Sequence, residues 1–168
     1  TVGLIGKYVE LKDSYKSILE GFIHAGAQNE CKVKVELIHS ENISSYSADE
    51  NLKHLDGILV APGFGERGIE GKIQTVKYAR ENKIPFFGIC LGMQCAVIEY
   101  GRSVLGIEDA HSAEINPEAK NAVIDLMDNQ IEVTEKGGTM RLGKYKCELK
   151  PNTIVSQVYG KKEIKKRH

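Results

Sequence analysis

The segment 84–94 constrains the fold more than any other part of the sequence. A short apolar run, Ile84-Pro85-Phe86-Phe87, leads directly into Gly88-Ile89-Cys90-Leu91-Gly92-Met93-Gln94. A cysteine between two glycines, where a strand turns sharply into a helix, has the pattern of a nucleophile elbow with sulfur in place of the serine oxygen. The segment therefore predicts a strand–turn–helix unit and acyl transfer through a thioester.

Strand and helix patterns alternate along the first hundred residues. Buried strands are predicted at 1–5, 56–61 and 84–89, and a half-buried or edge strand at 32–38. Helices are predicted where apolar residues recur at spacings of three and four. Their apolar positions are Tyr15, Ile18, Leu19 and Phe22 after a capping Ser14, then Ile69, Ile73 and Val76, and last Met93, Ala96, Val97 and Tyr100. The alternation predicts the α/β class, with an open, mostly parallel sheet flanked by helices.

The sequence after the third predicted helix has a different pattern. Short strands joined by turns are predicted at 122–127, 131–134 and 139–149, as a small antiparallel extension, and a short helix is predicted at 153–159. We expect all 168 residues to form a single domain.

Two glycine-rich breaks follow neighbouring strands, at 63–65 and 88–92. Because ligand sites in parallel sheets form at the carboxyl ends of the strands, we expect the two breaks to build one site. The helix N-terminus beside Cys90 favours a thiolate, which is the nucleophilic form. The amide of Leu91 and an amide of the Gly63-Phe64 loop are the expected oxyanion donors. None of the five histidines is a convincing base for Cys90.

Composition excludes several classes of protein. The 23 basic residues are balanced by 23 acidic ones, so nothing favours binding to nucleic acid or to an anionic membrane. No apolar run approaches the roughly 20 residues of a membrane-spanning helix, and residues 1–6 lack the features of a signal peptide. The cysteines at 31, 90, 95 and 147 show neither C-x-x-C spacing nor a zinc pattern with histidine, which predicts no metal site and favours a reducing cytoplasm.

Taken together, these motifs resemble the class I glutamine amidotransferases, and most closely the amidotransferase domains of the CTP synthase family. The blocks that carry the resemblance run along essentially the whole chain: 6–8 with 13–17, 64–72, 88–94, 137–143 and 167–168. The block at 137–143, Gly-Gly-Thr-Met-Arg-Leu-Gly, is the most specific, because other class I amidotransferases do not carry it. The resemblance implies a flavodoxin-like sheet.

The resemblance also implies roles for individual residues. Cys90 would be the nucleophile that forms a γ-glutamyl thioester and releases ammonia, and the amides of Gly63 and Leu91 would form the oxyanion hole. The Glu114 carboxylate would hold the α-ammonium group of glutamine. The implied glutamine-binding residues are Gly63, Leu91, Gly92, Met93, Gln94 and Glu114.

For the whole enzyme, the resemblance implies the synthesis of CTP from UTP, ATP and glutamine by a homotetramer. The amidotransferase domain itself would use no cofactor. ATP and Mg²⁺ would bind in a synthetase domain of the same polypeptide, and GTP would act as an activator.

The chain departs from the family pattern at two places. The family usually has Pro-Gly-Gly-Phe-Gly where this chain has Ala61-Pro62-Gly63-Phe64-Gly65. Because proline has no N–H, amide donors in this loop begin at Gly63. The His-Pro-Glu motif that supplies the family's catalytic His and Glu is not found in the sequence. We therefore expect a domain that lacks its C-terminal part and has little or no glutaminase activity by itself.

Two other functions fit the elbow. One is the glutaminase subunit of another amidotransferase, such as one for guanine nucleotide or carbamoyl phosphate synthesis, which should lack the block at 137–143. The other is a non-catalytic interaction domain that keeps the fold without the catalytic residues. This last hypothesis predicts a buried Cys90 with no cavity beside it.

Overall fold

The apolar runs of the first ninety residues form one parallel sheet. In the computed structural model, which describes residues 1–126 and 144–167, the strands β1 (Val2–Gly6), β2 (Val35–His39), β3 (Gly57–Val60) and β4 (Phe86–Gly88) lie in the order β2-β1-β3-β4. All three pairings are parallel. This is the strand order of a flavodoxin-like sheet, so the predicted fold class is confirmed.

Helices cover both faces of this sheet. They are α1 (Lys16–Gln28), α2 (Ala48–Leu52), α3 (Ile69–Glu81) and α4 (Leu91–Ser103). Because side chains alternate along a strand, Ile5 and Val60 join a core cluster with α3 and α4, whereas Leu4 and Leu59 join a second cluster against α1. Each face of the sheet therefore has its own apolar core.

The start of α1 differs from the prediction. Ser14 does not cap the helix; it lies in a 3-10 turn at Lys12–Tyr15, and α1 begins at Lys16 without a side-chain cap. The cause is Tyr15, whose buried hydroxyl accepts hydrogen bonds from the amides of Lys7 (3.1 Å) and Tyr8 (3.3 Å). These hydrogen bonds connect the residue before α1 to the end of β1.

The buried face of α4 also differs from the prediction. Met93 is 48% exposed and Tyr100 is 51% exposed, so the predicted apolar stripe faces solvent within the described residues. The buried residues of the helix are Leu91, Gly92, Cys95, Ile98, Glu99 and Gly101. Glycine and cysteine are small, and they allow the helix to pack closely on β3, which a pattern of large apolar residues does not reveal.

The remaining strands form two small pairs. β5 (Ala110–Ser112) and β6 (Asn121–Ile124) pair in parallel, so the expectation of an antiparallel arrangement at 122–127 was wrong. The register shifts between His111 and Ser112. Because parallel strands cannot be joined by a tight hairpin, the whole segment between β5 and β6 serves as their connection.

Contacts divide the chain into two units, Thr1–Asp125 and Leu126–His168. In the second unit, β7 (Lys144–Glu148) and β8 (Glu163–Arg167) form an antiparallel pair. They are joined through α5 (Ile154–Tyr159), which Thr153 caps, so the predicted short helix and a small antiparallel pair are confirmed. The strand β8 was not predicted. The predicted strand at 131–134 and the block at 137–143 lie outside the described residues.

No helix in the described part of the chain combines the length and the apolar character needed to cross a membrane.

An ion pair with a buried carboxylate joins α3 to α4. Arg80 Nε lies 3.1 Å from both carboxylate oxygens of Glu99, and Arg80 Nη2 donates to Glu99 Oε1 at 2.8 Å. Glu99 is only 1% exposed, and this hydrogen bonding raises the pKa of Arg80. Charge-assisted, bidentate pairing is the strong form of this contact.

We expect Glu99→Gln to lower the free energy of unfolding by about 1–3 kcal/mol, because a buried charge-assisted contact is weakened. Glu81 also contacts Arg80, at 3.5 Å, but is 51% exposed, so Glu81→Gln is the matched control. Its expected effect is within about 0.5 kcal/mol. Urea unfolding of the two variants checks the difference, and equal effects would contradict the assignment.

Candidate active site

The elbow is built by two close backbone approaches. A Cβ added to Gly88 would lie 2.6 Å from backbone atoms of Gly92, and a Cβ added to Gly92 would lie 2.2 Å from the carbonyl oxygen of Val60. Only glycine fits both positions. The chain therefore passes from β4 into α4 through a turn too tight for ordinary side chains.

Cys90 lies at the apex of this turn. Its φ of 54° and ψ of −111° are unusual for a residue other than glycine, and its side chain is exposed. Such a conformation persists only where the surrounding structure fixes it. The strand–turn–helix geometry of the predicted elbow is thus present, and it presents the thiol at the N-terminus of α4.

The first amides of α4 are divided between internal bonds and the site. The amide of Gly92 donates to Ile89 O at 2.9 Å, and those of Met93 and Gln94 donate to Cys90 O at 3.0 and 3.1 Å. In the described residues, no backbone acceptor is found for the amide of Leu91 or of Gly63. These two amides, the predicted oxyanion donors, are therefore available to a ligand.

A narrow cavity lies beside the thiol. Its lining residues are Gly63, Phe64, Gly65, Cys90, Leu91, Gln94, Glu114 and Ile115. They come from the loop after β3, from the elbow and from the turn after β5. Five of the predicted site residues therefore meet at one place, at the carboxyl end of the parallel strands.

Two predicted binding residues do not line this cavity. Gly92 is buried with its backbone against Val60, so the structure gives it a packing role. Met93 lies on the exposed side of α4.

Two buried lysines support the loop after β3, and sequence reasoning assigned neither of them a role. Lys7 Nζ donates to the carbonyl of Phe64, and Lys72 Nζ donates to the carbonyl of Ala61 at 2.8 Å. Burial lowers the pKa of Lys72, and the neighbouring charge of Lys7 lowers it further. One signal was present in the sequence, because Lys72 falls beside Ile69 and Ile73 on the apolar face of α3.

Cys95 lies close to Cys90 in the sequence but in a different environment. It is fully buried, and burial raises the pKa of its thiol to about 11. A thiol with so high a pKa has almost no thiolate near neutral pH. Cys95 therefore belongs to the core of the first unit.

No histidine lines the Cys90 cavity among the described residues. His111, the histidine closest to Glu114 in sequence, lines a separate cavity with Glu66, Glu70 and Asn116, and its Nδ1 accepts a hydrogen bond from the Ser112 amide at 2.9 Å. The described residues also contain no cluster of three His, Cys, Asp or Glu side chains that could hold a metal ion. The site therefore combines an exposed thiol, two free amides and a carboxylate, which suits addition to a carbonyl group.

The model of the family described as glutamine amidotransferase class-I matches residues 10–168. Similar relatives are CTP synthases from Flavobacterium psychrophilum, Christiangramia forsetii and Flavobacterium johnsoniae, at 65, 64 and 62% identity. Each match covers at least 99% of this chain and 31% of the relative. The chain thus spans about a third of the length of the curated relatives it matches.

A solved structure is also similar over nearly the whole chain. It is the glutaminase domain of Trypanosoma brucei CTPS with bound acivicin, at 35% sequence identity and a TM-score of 0.86. The match covers 99% of this chain and 65% of that chain.

We expect Gly92→Ala to destabilise the first unit by about 1–3 kcal/mol or more, because its methyl group would meet a backbone carbonyl that cannot move aside. Gly21 is the matched control, since it lies in α1 with no atom within 4 Å of an added Cβ. Gly21→Ala should instead stabilise by about 0.5–1 kcal/mol through helix propensity. Thermal unfolding of both variants tests the contrast, and a stable Gly92→Ala protein would contradict the packing.

We expect iodoacetamide at pH 8 to alkylate Cys90 while leaving Cys95 unmodified, because Cys95 is buried with a raised pKa. Cys31 and Cys147 are exposed and serve as internal references. Cys90 should react faster than either, since it lies at a helix N-terminus. Peptide mapping by mass spectrometry measures the four rates, and modification of Cys95 ahead of Cys90 would refute the assignment.

Proposed function

The chain belongs to the class I glutamine amidotransferase family, and on that basis we propose that its first unit binds glutamine and carries Cys90 as the nucleophile of glutamine hydrolysis. Because the His-Pro-Glu motif is not found in this sequence, we expect little or no turnover by these 168 residues themselves. The observation that carries the proposal is the cavity in which the Cys90 thiol meets the free amides of Gly63 and Leu91 and the carboxylate of Glu114. Each of these groups suits contact with a different part of a glutamine molecule.

In the proposed reaction, Cys90 Sγ attacks the side-chain amide carbon of glutamine. The carbonyl oxygen becomes an oxyanion, which accepts hydrogen bonds from the amides of Gly63 and Leu91. The C–N bond then breaks, and the NH₂ group leaves as ammonia with the proton that the thiol has lost. Water hydrolyses the γ-glutamyl thioester, which yields glutamate and restores the thiol.

The proposed binding mode uses the remaining residues of the cavity. The Glu114 carboxylate pairs with the α-ammonium group of the substrate, which is a charge-assisted contact. Gln94 and Leu91 contact the side chain between the two ends. Each oxyanion donor supplies roughly a 100- to 1000-fold gain in rate in enzymes of this type.

For the protein as a whole, we propose CTP synthesis, with ammonia from Cys90 used to aminate UTP. The similarity to CTP synthases along at least 99% of this chain supports this step. The amidotransferase domain would then work with a synthetase domain of the same polypeptide, in a homotetrameric ligase. ATP and Mg²⁺ would act in that synthetase domain, and GTP would act as the activator.

A specific observation disfavours the non-catalytic alternative. An interaction domain that merely keeps the fold has no need of an exposed cysteine in a strained conformation beside two free amides. Similarity to CTP synthases likewise disfavours a glutaminase subunit for another pathway.

We expect acivicin, the compound bound in the Trypanosoma brucei structure, to modify Cys90, and we expect L-glutamine to protect it. D-Glutamine should not protect, because the inverted α-carbon moves the ammonium group away from Glu114. Glu114→Ala should weaken protection by about 10- to 100-fold, which is the loss of one charge-assisted contact. Mass spectrometry identifies the modified residue and measures the rates.

The matched control is Glu118→Ala, since Glu118 is exposed and does not line the cavity. Equal protection by L- and D-glutamine, or modification at Cys95, would contradict the proposal.

A further inference from the structure

Lys72 is a buried cation that the proposed reaction leaves without a role. Its side chain is 1% exposed, and its Nζ donates to Ala61 O at 2.8 Å. Among the described residues, no carboxylate lies within ion-pair distance of this ammonium group. Burial of a charge without a counter-charge is costly, so a neutral side chain would serve simple packing better.

The hydrogen bond from Lys72 means that both backbone polar groups of Ala61 have a partner. The Ala61 amide donates to Ile5 O at 2.9 Å, and its carbonyl accepts from Lys72, so both polar groups of this residue are held. Pro62 follows, with a ring that locks φ and with no N–H. The orientation of the next amide, that of Gly63, therefore depends on where Ala61 is held.

The ammonium group also lies close to Gly63. A Cβ added to Gly63 would lie 3.7 Å from Lys72 Nζ and 3.7 Å from a methyl carbon of Leu91. The two expected oxyanion donors and the buried ammonium are thus neighbours.

We propose that Lys72 is a positioning residue, which through Ala61 aims the Gly63 amide at the oxyanion of the tetrahedral intermediate. The inference rests on the proposed function, since it assigns Gly63 to the oxyanion hole of glutamine hydrolysis. It predicts that Lys72 strengthens binding of a tetrahedral adduct without strengthening binding of the planar substrate amide.

The variant Lys72→Met tests this, because it keeps an unbranched stem of similar volume and removes the ammonium. The probe is the aldehyde analogue of L-glutamine, in which CHO replaces the carboxamide. The Cys90 thiol adds across its C=O bond, forming the S–C bond and placing the thiol proton on oxygen, to give a tetrahedral thiohemiacetal. Protection of Cys90 from iodoacetamide, followed by mass spectrometry, gives the dissociation constants of the aldehyde and of L-glutamine.

For Lys72→Met, we expect the dissociation constant of the aldehyde to rise about 10-fold or more, as part of the value of an oxyanion donor is lost. The constant for L-glutamine, and the rate of iodoacetamide with no ligand present, should change less than about twofold. The matched control is Lys77→Met, also on α3, which should change none of the three. Lys72→Gln carries the same expectation and replaces the Met variant if that one does not fold.

Three outcomes would overturn the inference. The first is an unchanged dissociation constant for the aldehyde. The second is an equal rise in the dissociation constants of the aldehyde and of glutamine, together with a lower melting temperature. The third is a fall in the rate of Cys90 alkylation by the same factor by which the dissociation constant of the aldehyde rises. The first excludes a role for Lys72, the second indicates a structural role only, and the third indicates a direct effect of charge on Cys90. If neither ligand protects the unsubstituted protein, the proposed function itself is wrong, and the inference fails with it.

Discussion

The close approach of α4 to the end of β3 is the constraint on which the rest of the first unit depends. Gly92 brings the helix backbone against the carbonyl of Val60, and Gly88 allows the same closeness inside the elbow. Only Ile89 and Cys90 remain to make the turn, which places Cys90 in a conformation with positive φ and an exposed thiol. Packing and reactivity therefore have one origin, because the contacts that seat the helix also hold the strained residue.

The helix α3 connects this packing to the chemistry of the site. Its Arg80 and Glu70 form ion pairs with Glu99 and Arg102 of α4, at 2.8 and 3.0 Å. The same helix carries Lys72, which holds the loop after β3. Since α4 presents the thiol and α3 supports the opposite wall, the ion pairs between the helices also fix the two halves of the cavity relative to each other.

The sheet, the elbow and the proximity of the loops after β3 and β4 could be predicted from the sequence, because apolar runs and glycine breaks are local signals. It was misleading for α4, since periodicity counts large apolar residues and ignores the closeness that Gly92 and Cys95 permit. Buried charges were also missed. Glu99 and Lys72 are buried because of partners far away in the sequence, Arg80 and Ala61, and no local pattern contains that pairing. Glu114 was identified only through the resemblance, for the same reason.

The departure of the loop after β3 from the usual family pattern has a physical consequence. Where the family usually has proline, this chain has Ala61, whose amide continues the hydrogen bonding to β1 by donating to Ile5 O at 2.9 Å. Where the family usually has a first glycine, it has Pro62, which fixes φ and removes freedom from the unfolded chain. Compared with the usual family pattern, this loop therefore lacks one glycine and has one additional backbone hydrogen bond, from Ala61, and a proline ring at position 62. A donor held in this way needs little reorganisation when the oxyanion forms, which is the property that makes such a donor effective. The substitution therefore suits the oxyanion role proposed for Gly63, even though it shortens the run of glycines.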